Sequence, residues 1–238
     1  MSPNNNRPRL LCYASGGLRG AYYVGVSLAL EDAGIEFKDF AGVSAGANAA
    51  TCHAAGQARL AQAVWDELAE YRLALHLEAI RTRDVRVHVA VSRVKPVCSW
   101  ARGVYERQIL SFDKGFTDEE MITAIRASSY LPVVNGLFSA CRIGEHYYRD
   151  GGFTGRLPLD CRPLEEFGEV WCAVASPNGL AELEAFNTLM YPDTRFYFIV
   201  PSRPTPVGRM EIDKFKFRAT AELGYADTLR VIDSYRQA

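Results

Sequence analysis

The stretch that most constrains this chain is Gly42-Val43-Ser44-Ala45-Gly46. A serine with glycine two residues away on each side suits a strand that turns abruptly into a helix. The turn brings neighbouring backbones together, so the flanking residues must be tiny, and the serine takes a strained conformation that lifts its hydroxyl into the open. Asp39-Phe40-Ala41 reads as part of a short buried strand leading into the turn. Ala45 to Cys52 is built of residues small enough to pack a helix tightly behind it. The pattern is short, so its meaning depends on whether the rest of the chain supplies a base and an oxyanion hole.

The bulk numbers frame that question. A chain of 238 residues with 48% hydrophobic and 23% charged residues is expected to form one α/β domain with a sizeable core. The net charge of −1 argues against a dedicated nucleic-acid binder. The charge is uneven, with seven Arg or Lys residues between Arg81 and Arg107 against only Asp84 and Glu106. That run reads as a solvated surface or as a face for anionic lipid. The six cysteines show no C-x-x-C pair and no histidine at metal spacing, and Cys12 and Cys172 sit inside apolar runs. This usage points to a reducing, cytoplasmic compartment and to chemistry without a metal or other cofactor. The first residues carry no apolar signal core. No segment approaches the ~20 consecutive apolar residues of a spanning helix, leaving peripheral membrane contact as the form of membrane association to expect.

In chain order, residues 1–8 read as a disordered lead-in and 9–238 as a single domain. Arg9 to Ala14 is a buried strand, Ser15 to Gly20 a glycine-rich turn, and Ala21 to about Ala33 a helix stopped by Gly34. With the strand ending near Ser44 this makes a βαβ unit, which sets both loops at carboxyl ends of parallel strands, where open α/β sheets hold their sites. A long helix is expected from Gln57 to about Ile80 on a stripe of Leu60, Val64, Leu68, Tyr71 and Leu75. Val85, Val87, Val89 and Val91 alternate as a half-exposed strand, and Pro96 to Gly115 reads as irregular or hairpin-like. Thr117-x-x-Glu120 is a capping box that opens a helix, with a break at Pro132. Strands or a hairpin about Gly144 lead to Asp150-Gly151-Gly152, and Val170 to Ala175 and Phe196 to Val200 are buried strands. A last helix, about Ile212 to Tyr235, carries an apolar line through Phe215, Ala219, Leu223, Ala226, Leu229 and Ile232.

A serine hydroxyl needs a positioned base. All four histidines, at 53, 76, 88 and 146, precede Asp150, whereas the common hydrolase order is serine, acid, histidine. An earlier acid such as Asp84 paired with His146 leaves a triad open. Asp150 at a strand end is a simpler base, although Asp-Gly-Gly is also ordinary turn chemistry. The glycine turn has two readings of its own. Ser15-x-Gly17-x-x-Gly20 is one residue from a dinucleotide fingerprint, with Glu36 or Asp39 where a ribose-binding acid would stand. Alternatively its amides, at a helix amino terminus, form an oxyanion hole worth ~3 kcal/mol per donor.

Taken together, Gly-Gly-x-Arg-Gly after the first strand, then Gly-x-Ser-x-Gly, then Asp-Gly-Gly resemble the patatin-like phospholipase family of lipolytic acyl hydrolases. Arg126-Ala-Ser-Ser-Tyr-Leu-Pro132 is similar to that family's A-S-S-x-x-P segment, so the resemblance runs from about Leu10 to Pro158. It implies a three-layer α/β/α fold with a mostly parallel sheet and a Ser–Asp dyad without histidine. Ser44 would be the nucleophile and Asp150 the base. Gly16, Gly17, Leu18 and Ala45 would supply the oxyanion hole, with Arg19 placed to meet a lipid phosphate. Ser15, Gly20, Gly42, Gly46, Gly151 and Gly152 would support these motifs. Ala14 and Ser15 stand where the family usually has an acid and a third glycine, and Arg156 stands where it tends to have asparagine. Tyr22-Tyr23-Val24-Gly25-Val26 resembles the triglyceride-lipase branch, so neutral lipids stand beside phospholipids as expected substrates. The rival readings are a catalytically impaired lipid-binding protein and a nucleotide-binding protein on the same fold.

Overall fold

The computed structural model describes residues 7–67, 77–95, 104–131 and 140–237. Its centre is a parallel sheet of β1 (Arg9–Tyr13), β2 (Asp39–Val43), β3 (Arg86–Val94), β7 (Glu169–Ala173) and β8 (Arg195–Ile199), in the order β3-β2-β1-β7-β8. Successive β1 residues face opposite sides, as a strand requires. Leu11 and Tyr13 join Phe40, Trp171 and Ala173 in one core, beneath α1 (Ala21–Asp32), α2 (Ala45–Ala54) and α7 (Lys214–Gln237). Leu10 and Cys12 join Ala41, Val170 and Cys172 in a second, where Leu180 and Leu183 of α6 (Pro177–Glu184) pack. Helices on both faces of a mostly parallel sheet are the three-layer α/β architecture expected from the sequence.

The sheet is extended beyond β3 by three antiparallel strands, β4 (Tyr105–Phe112), β5 (Cys141–Ile143) and β6 (His146–Asp150). Their register decides which strand ends become neighbours. β4 pairs with β3 all the way from Val87 to Val94, taking one edge. On the opposite edge β2 pairs with β3 only as far as Ala90, and β6 takes over at Val91. β2 runs parallel to β3 and β6 antiparallel, so the carboxyl ends of β2 and β6 meet head-on over Ala90 and Val91.

Three expectations need correction. β3 is not half-exposed: His88, Ala90 and Ser92 are as buried as the valines between them. Both faces are covered, and the polar members bond inside, His88 to Ser111 and Asp39, Ser92 to Thr154. The long helix proposed for 57–80 is described as α3 (Ala58–Glu67) and α4 (Glu78–Thr82), with Leu68, Tyr71 and Leu75 outside the described residues. The stripe predicted on α7 is also displaced, since Phe215 and Leu229 are exposed. Leu223 and Ile232 are buried as read, and the rest of the buried side runs through Phe217, Thr220, Ala221, Gly224 and Thr228. Small residues win there because α7 lies against α1: a Cβ on Gly25 would stand 1.9 Å from the Ala221 carbonyl, and one on Gly224 2.1 Å from that of Tyr22. At the amino end, 1–6 lie outside the described residues, and Arg7 and Pro8 are already fixed, by Arg7 to the Glu165 carbonyl and Gly168 N–H to that of Pro8. Pro132 and most of the segment preceding β5 also lie outside. The capping box at Thr117 and Glu120 forms as read, opening α5 (Asp118–Ser128).

Candidate active site

β2 ends and α2 begins on either side of Ser44, which sits at φ 56 and ψ −122. For a residue with a side chain that conformation stores on the order of 1–3 kcal/mol, so the surroundings must enforce it. They do so through contact. A Cβ on Gly42 would lie 2.3 Å from the Gly46 carbonyl, and one on Gly46 would lie 2.2 Å from that of Tyr13. The two glycines let α2 fold back against the strand ends. The Ser44 amide donates to Ser128 Oγ at 2.9 Å, and Ser128 Oγ donates to the Ala90 carbonyl at 2.7 Å. Ser128 therefore rivets the turn to β3.

Where β2 and β6 meet, Ser44 Oγ donates to Asp150 Oδ2 at 2.6 Å, the short distance typical of a hydroxyl on a carboxylate. Asp150 Oδ1 accepts from the Gly152 amide at 2.7 Å. Gly151 must be glycine because a Cβ there would stand 2.3 Å from the Ala90 carbonyl. Burial pushes the Asp150 carboxyl above its ordinary value. The Ser44 and Gly152 bonds, with Arg209 and Arg156 nearby, pull against that rise without cancelling it.

Two cavities open on Ser44. One, about 550 Å³, is walled by apolar and small residues of α1, α2 and α3, among them Tyr23, Val24, Ala49 and Ala61. The other, about 470 Å³, holds Asp150 together with Arg19, Arg156 and Arg209. Gly17 and Leu131 line both. Among the described residues, the guanidinium groups of Arg19 and Arg209 take part in no hydrogen bond or ion pair, whereas Arg156 reaches Glu182 at 3.3 Å. The main chain of Arg156 does structural work, since its carbonyl accepts from Ser15 N–H and its amide donates to Glu182. Ser15, in the place of a glycine, is held by Ser176 Oγ donating to its carbonyl.

Of the four amides expected to form an oxyanion hole, one is otherwise engaged. Leu18 N–H donates to the Arg209 carbonyl at 2.9 Å, which withdraws it from any ligand in this conformation. Gly16 and Gly17 line the cavities beside Ser44, and Ala45 opens α2. Among the described residues no histidine triad is assembled. His53 is buried with Nδ1 2.7 Å from the Tyr13 hydroxyl, and its burial depresses it to about 3. His88 bonds Asp39, His146 bonds Arg93, and His76 lies outside the described residues. Asp84 pairs with Lys114. Of the two acids named for a dinucleotide site, Asp39 is fully buried and gripped by Arg86, His88 and Arg162, while Glu36 is exposed.

Sequence reasoning missed two devices. Ser128 lies in a segment whose only sequence signal is its likeness to a family motif. Arg107, counted within a basic run, holds the loop after Asp150 by donating to the Gly155 and Leu157 carbonyls while pairing with Asp160. The described members of that run are internally occupied: Arg81 by Glu78 and Asp118, Arg83 by the His53 and Ala54 carbonyls, Arg86 by Asp39, Lys95 by Glu106.

Comparison with known proteins bears on this geometry. A family model described as patatin-like phospholipase matches residues 11–83, which hold the glycine turn and Ser44. Among solved structures, the crystal structure of VipD from Legionella pneumophila aligns over 96% of this chain and 67% of that one, with a TM-score of 0.53 and 12% identity. At that identity the likeness speaks to the fold. No match was found among curated proteins. The patatin-like resemblance read from the motifs is thus met by the family model over residues 11–83, and the likeness to VipD agrees with the expected fold.

Proposed function

We propose that this patatin-like chain is a serine lipid acyl hydrolase of phospholipase A type, working through an acyl-enzyme on Ser44. The observation that carries the reading is the 2.6 Å bond from Ser44 Oγ to Asp150 at the mouth of two dissimilar cavities. As Ser44 Oγ attacks the ester carbonyl carbon, its proton passes to Asp150, and the oxyanion develops toward the amides of Gly16, Gly17 and Ala45. Collapse breaks the ester C–O bond, and the leaving alkoxide takes the proton from Asp150. Water then gives a proton to Asp150 and attacks the acyl-serine. Ser44 leaves with that proton, and the free acid departs. The apolar cavity suits the acyl chain. The arginine-lined cavity suits an anionic head group, which favours phospholipid over triacylglycerol, because two of its three guanidiniums are unspent.

The test is a serine-reactive fluorophosphonate followed by mapping of the labelled peptide, with hydrolysis of phospholipid and of a p-nitrophenyl ester measured in parallel. Label on Ser44, lost with ester hydrolysis in Ser44→Ala, is the expected result. Label elsewhere, or full turnover by Ser44→Ala, overturns the reading. Arg19→Lys keeps charge but loses the planar fork, so it should lower the ratio of phospholipid to p-nitrophenyl ester turnover. An unchanged ratio at low and high salt returns the assignment to a general lipid esterase.

A further inference from the structure

Resting on that lipid reading, we propose that the turn from Arg209 to Lys216 is the surface by which this protein docks on an anionic bilayer. Met210, Ile212 and Phe215 are 57%, 76% and 74% exposed, three large apolar side chains within six residues. Burying them in an apolar phase is favourable, and within the described fold nothing covers their exposed parts.

Their exposure is not looseness of the segment. Val207 and Phe217, on either side, are fully buried against Ala21. Val207 N–H donates to Thr220 Oγ1, Gly208 N–H to Glu211, and the amides of Phe215 and Lys216 to Asp213 Oδ1. The backbone is thus fixed with its anchors inward and Met210, Ile212 and Phe215 outward.

Two further observations select a bilayer as the occupant. The first is continuity: Met210 and Ile212 also form the outer wall of the apolar cavity that reaches Ser44. An acyl chain leaving a bilayer across this turn stays against apolar surface all the way to the nucleophile. The second is charge. The turn carries Arg209 and Lys214, with Arg203 just before it, while Lys216 is paired with Glu211 and Asp213 accepts from the amides that start α7. Lys214 Nζ lies 5.3 Å from the Phe215 ring centroid, so a cation flanks one of the three exposed apolar groups. An apolar tip inside a basic skirt is the pattern of an interfacial anchor on anionic lipid. The Arg81–Arg107 run, considered from sequence for this role, has its described charges spent on internal partners.

Vesicle flotation tests the proposal in the Ser44→Ala background, where turnover does not alter the vesicles. The protein should float with phosphatidylglycerol–phosphatidylcholine vesicles and about tenfold less with phosphatidylcholine alone or at high salt. Phe215→Ser, which changes a residue outside both cavities, should cut partition roughly tenfold and, with Ser44 intact, leave p-nitrophenyl ester turnover within about twofold. The comparison variant is Leu189→Ser with Met190→Ser, an equally exposed apolar pair that lines neither cavity, and it should float as the parent does. A Phe215→Trp probe should shift its emission to the blue on adding anionic vesicles. Undiminished flotation by Phe215→Ser, equal loss in the Leu189/Met190 variant, or absence of flotation overturns the proposal, as does a dimer in solution that Phe215→Ser dissociates. Failure of the hydrolase reading looks different: esterase activity persists in Ser44→Ala while flotation and its dependence on Phe215 remain.

Discussion

Two buried aspartates, Asp39 and Asp150, stand at opposite ends of the same stretch of sheet. Asp39 opens β2 at the amino edge, and Asp150 closes β6 beside the carboxyl end of β2. Burial pushes both carboxyls up. Around Asp39 the bonds from His88 and Arg86 outweigh it, so that group falls below the ordinary carboxylate value. Around Asp150 a serine hydroxyl, one amide and two more distant arginines do not, and it stays above. The comparison separates a charge satisfied for folding from one left under-satisfied, as the proposed proton transfer would need. It also shows that burial alone identifies neither.

The largest effect expected from this contrast is in activity. Asp150→Asn keeps a hydrogen-bonding side chain next to Ser44 but accepts no proton, so ester hydrolysis should fall by ~10⁴-fold, approaching the loss in Ser44→Ala. Its unfolding midpoint in urea near neutral pH should hold or rise, because a raised folded pKa means the ionised carboxylate opposes folding there. Asp39→Ala should do the reverse. Removing the acid from two arginines and a histidine costs about 3 kcal/mol, while turnover per folded molecule stays close to wild type. An Asp39 variant that is folded yet as inactive as Asp150→Asn breaks the contrast.

The same pair predicts two separate acid limbs. Asp150 must be ionised to act as base, so activity should fall as pH drops through its raised pKa, above the ordinary value of 3.8. Asp39, depressed below 3.8, contributes stability that is complete above 3.8 and lost as pH falls through its lower folded pKa. Protein should therefore be folded and inactive in an interval between the limbs, checked by circular dichroism beside kcat/KM. Coincident loss of fold and activity removes the distinction.

How much of this is legible in the sequence depends on the range of the signals. The Ser44 elbow, the glycine turn and the capping box are local, since a few adjacent residues dictate the backbone, and each stands where its motif places it. Ser44 and Asp150 are 106 residues apart in sequence, and only likeness to a family pairs them. What brings them together is the edge of β3 passing from β2 to β6, and strand register over such distances leaves no periodic trace. Arg107 is hidden for a related reason: an arginine count says nothing about whether its partners are lipid or carbonyls. The α7 stripe holds at Leu223 and Ile232 but misses at Phe215 and Leu229, because close packing on Gly25 selects small residues over large ones, which hydrophobicity does not weigh.

A smaller effect tests what holds the junction rather than what reacts in it. Ser128→Ala leaves the Ser44 amide without its acceptor and the Ala90 carbonyl without that donor. Unfolding free energy should fall by about 1–3 kcal/mol. Because the elbow then loses its tie to β3, kcat should fall by about tenfold with KM little changed. Ser128→Thr retains the hydroxyl and should recover part of both. A stability loss with kcat untouched would make Ser128 a core hydrogen bond with no part in positioning the nucleophile.

The smallest effect concerns the strain at Ser44 itself. Asp39 is held by partners that all favour its charge, whereas Ser44 is held in a conformation its own side chain opposes. Ser44→Ala and Ser44→Gly both remove the hydroxyl, and both leave Asp150 with one donor fewer, so those losses cancel when the two are compared. What differs is the Cβ. At φ 56 and ψ −122 glycine has no Cβ to clash with the backbone, but it gives up more chain entropy on folding. If the strain is toward the upper part of its usual 1–3 kcal/mol range, Ser44→Gly should be the more stable of the two inactive proteins by about 1 kcal/mol. Equilibrium urea unfolding with matched slopes resolves a difference of that size. If Ser44→Ala is the more stable, the elbow is relaxed, and the exposure of its hydroxyl comes from the packing of Gly42 and Gly46 alone.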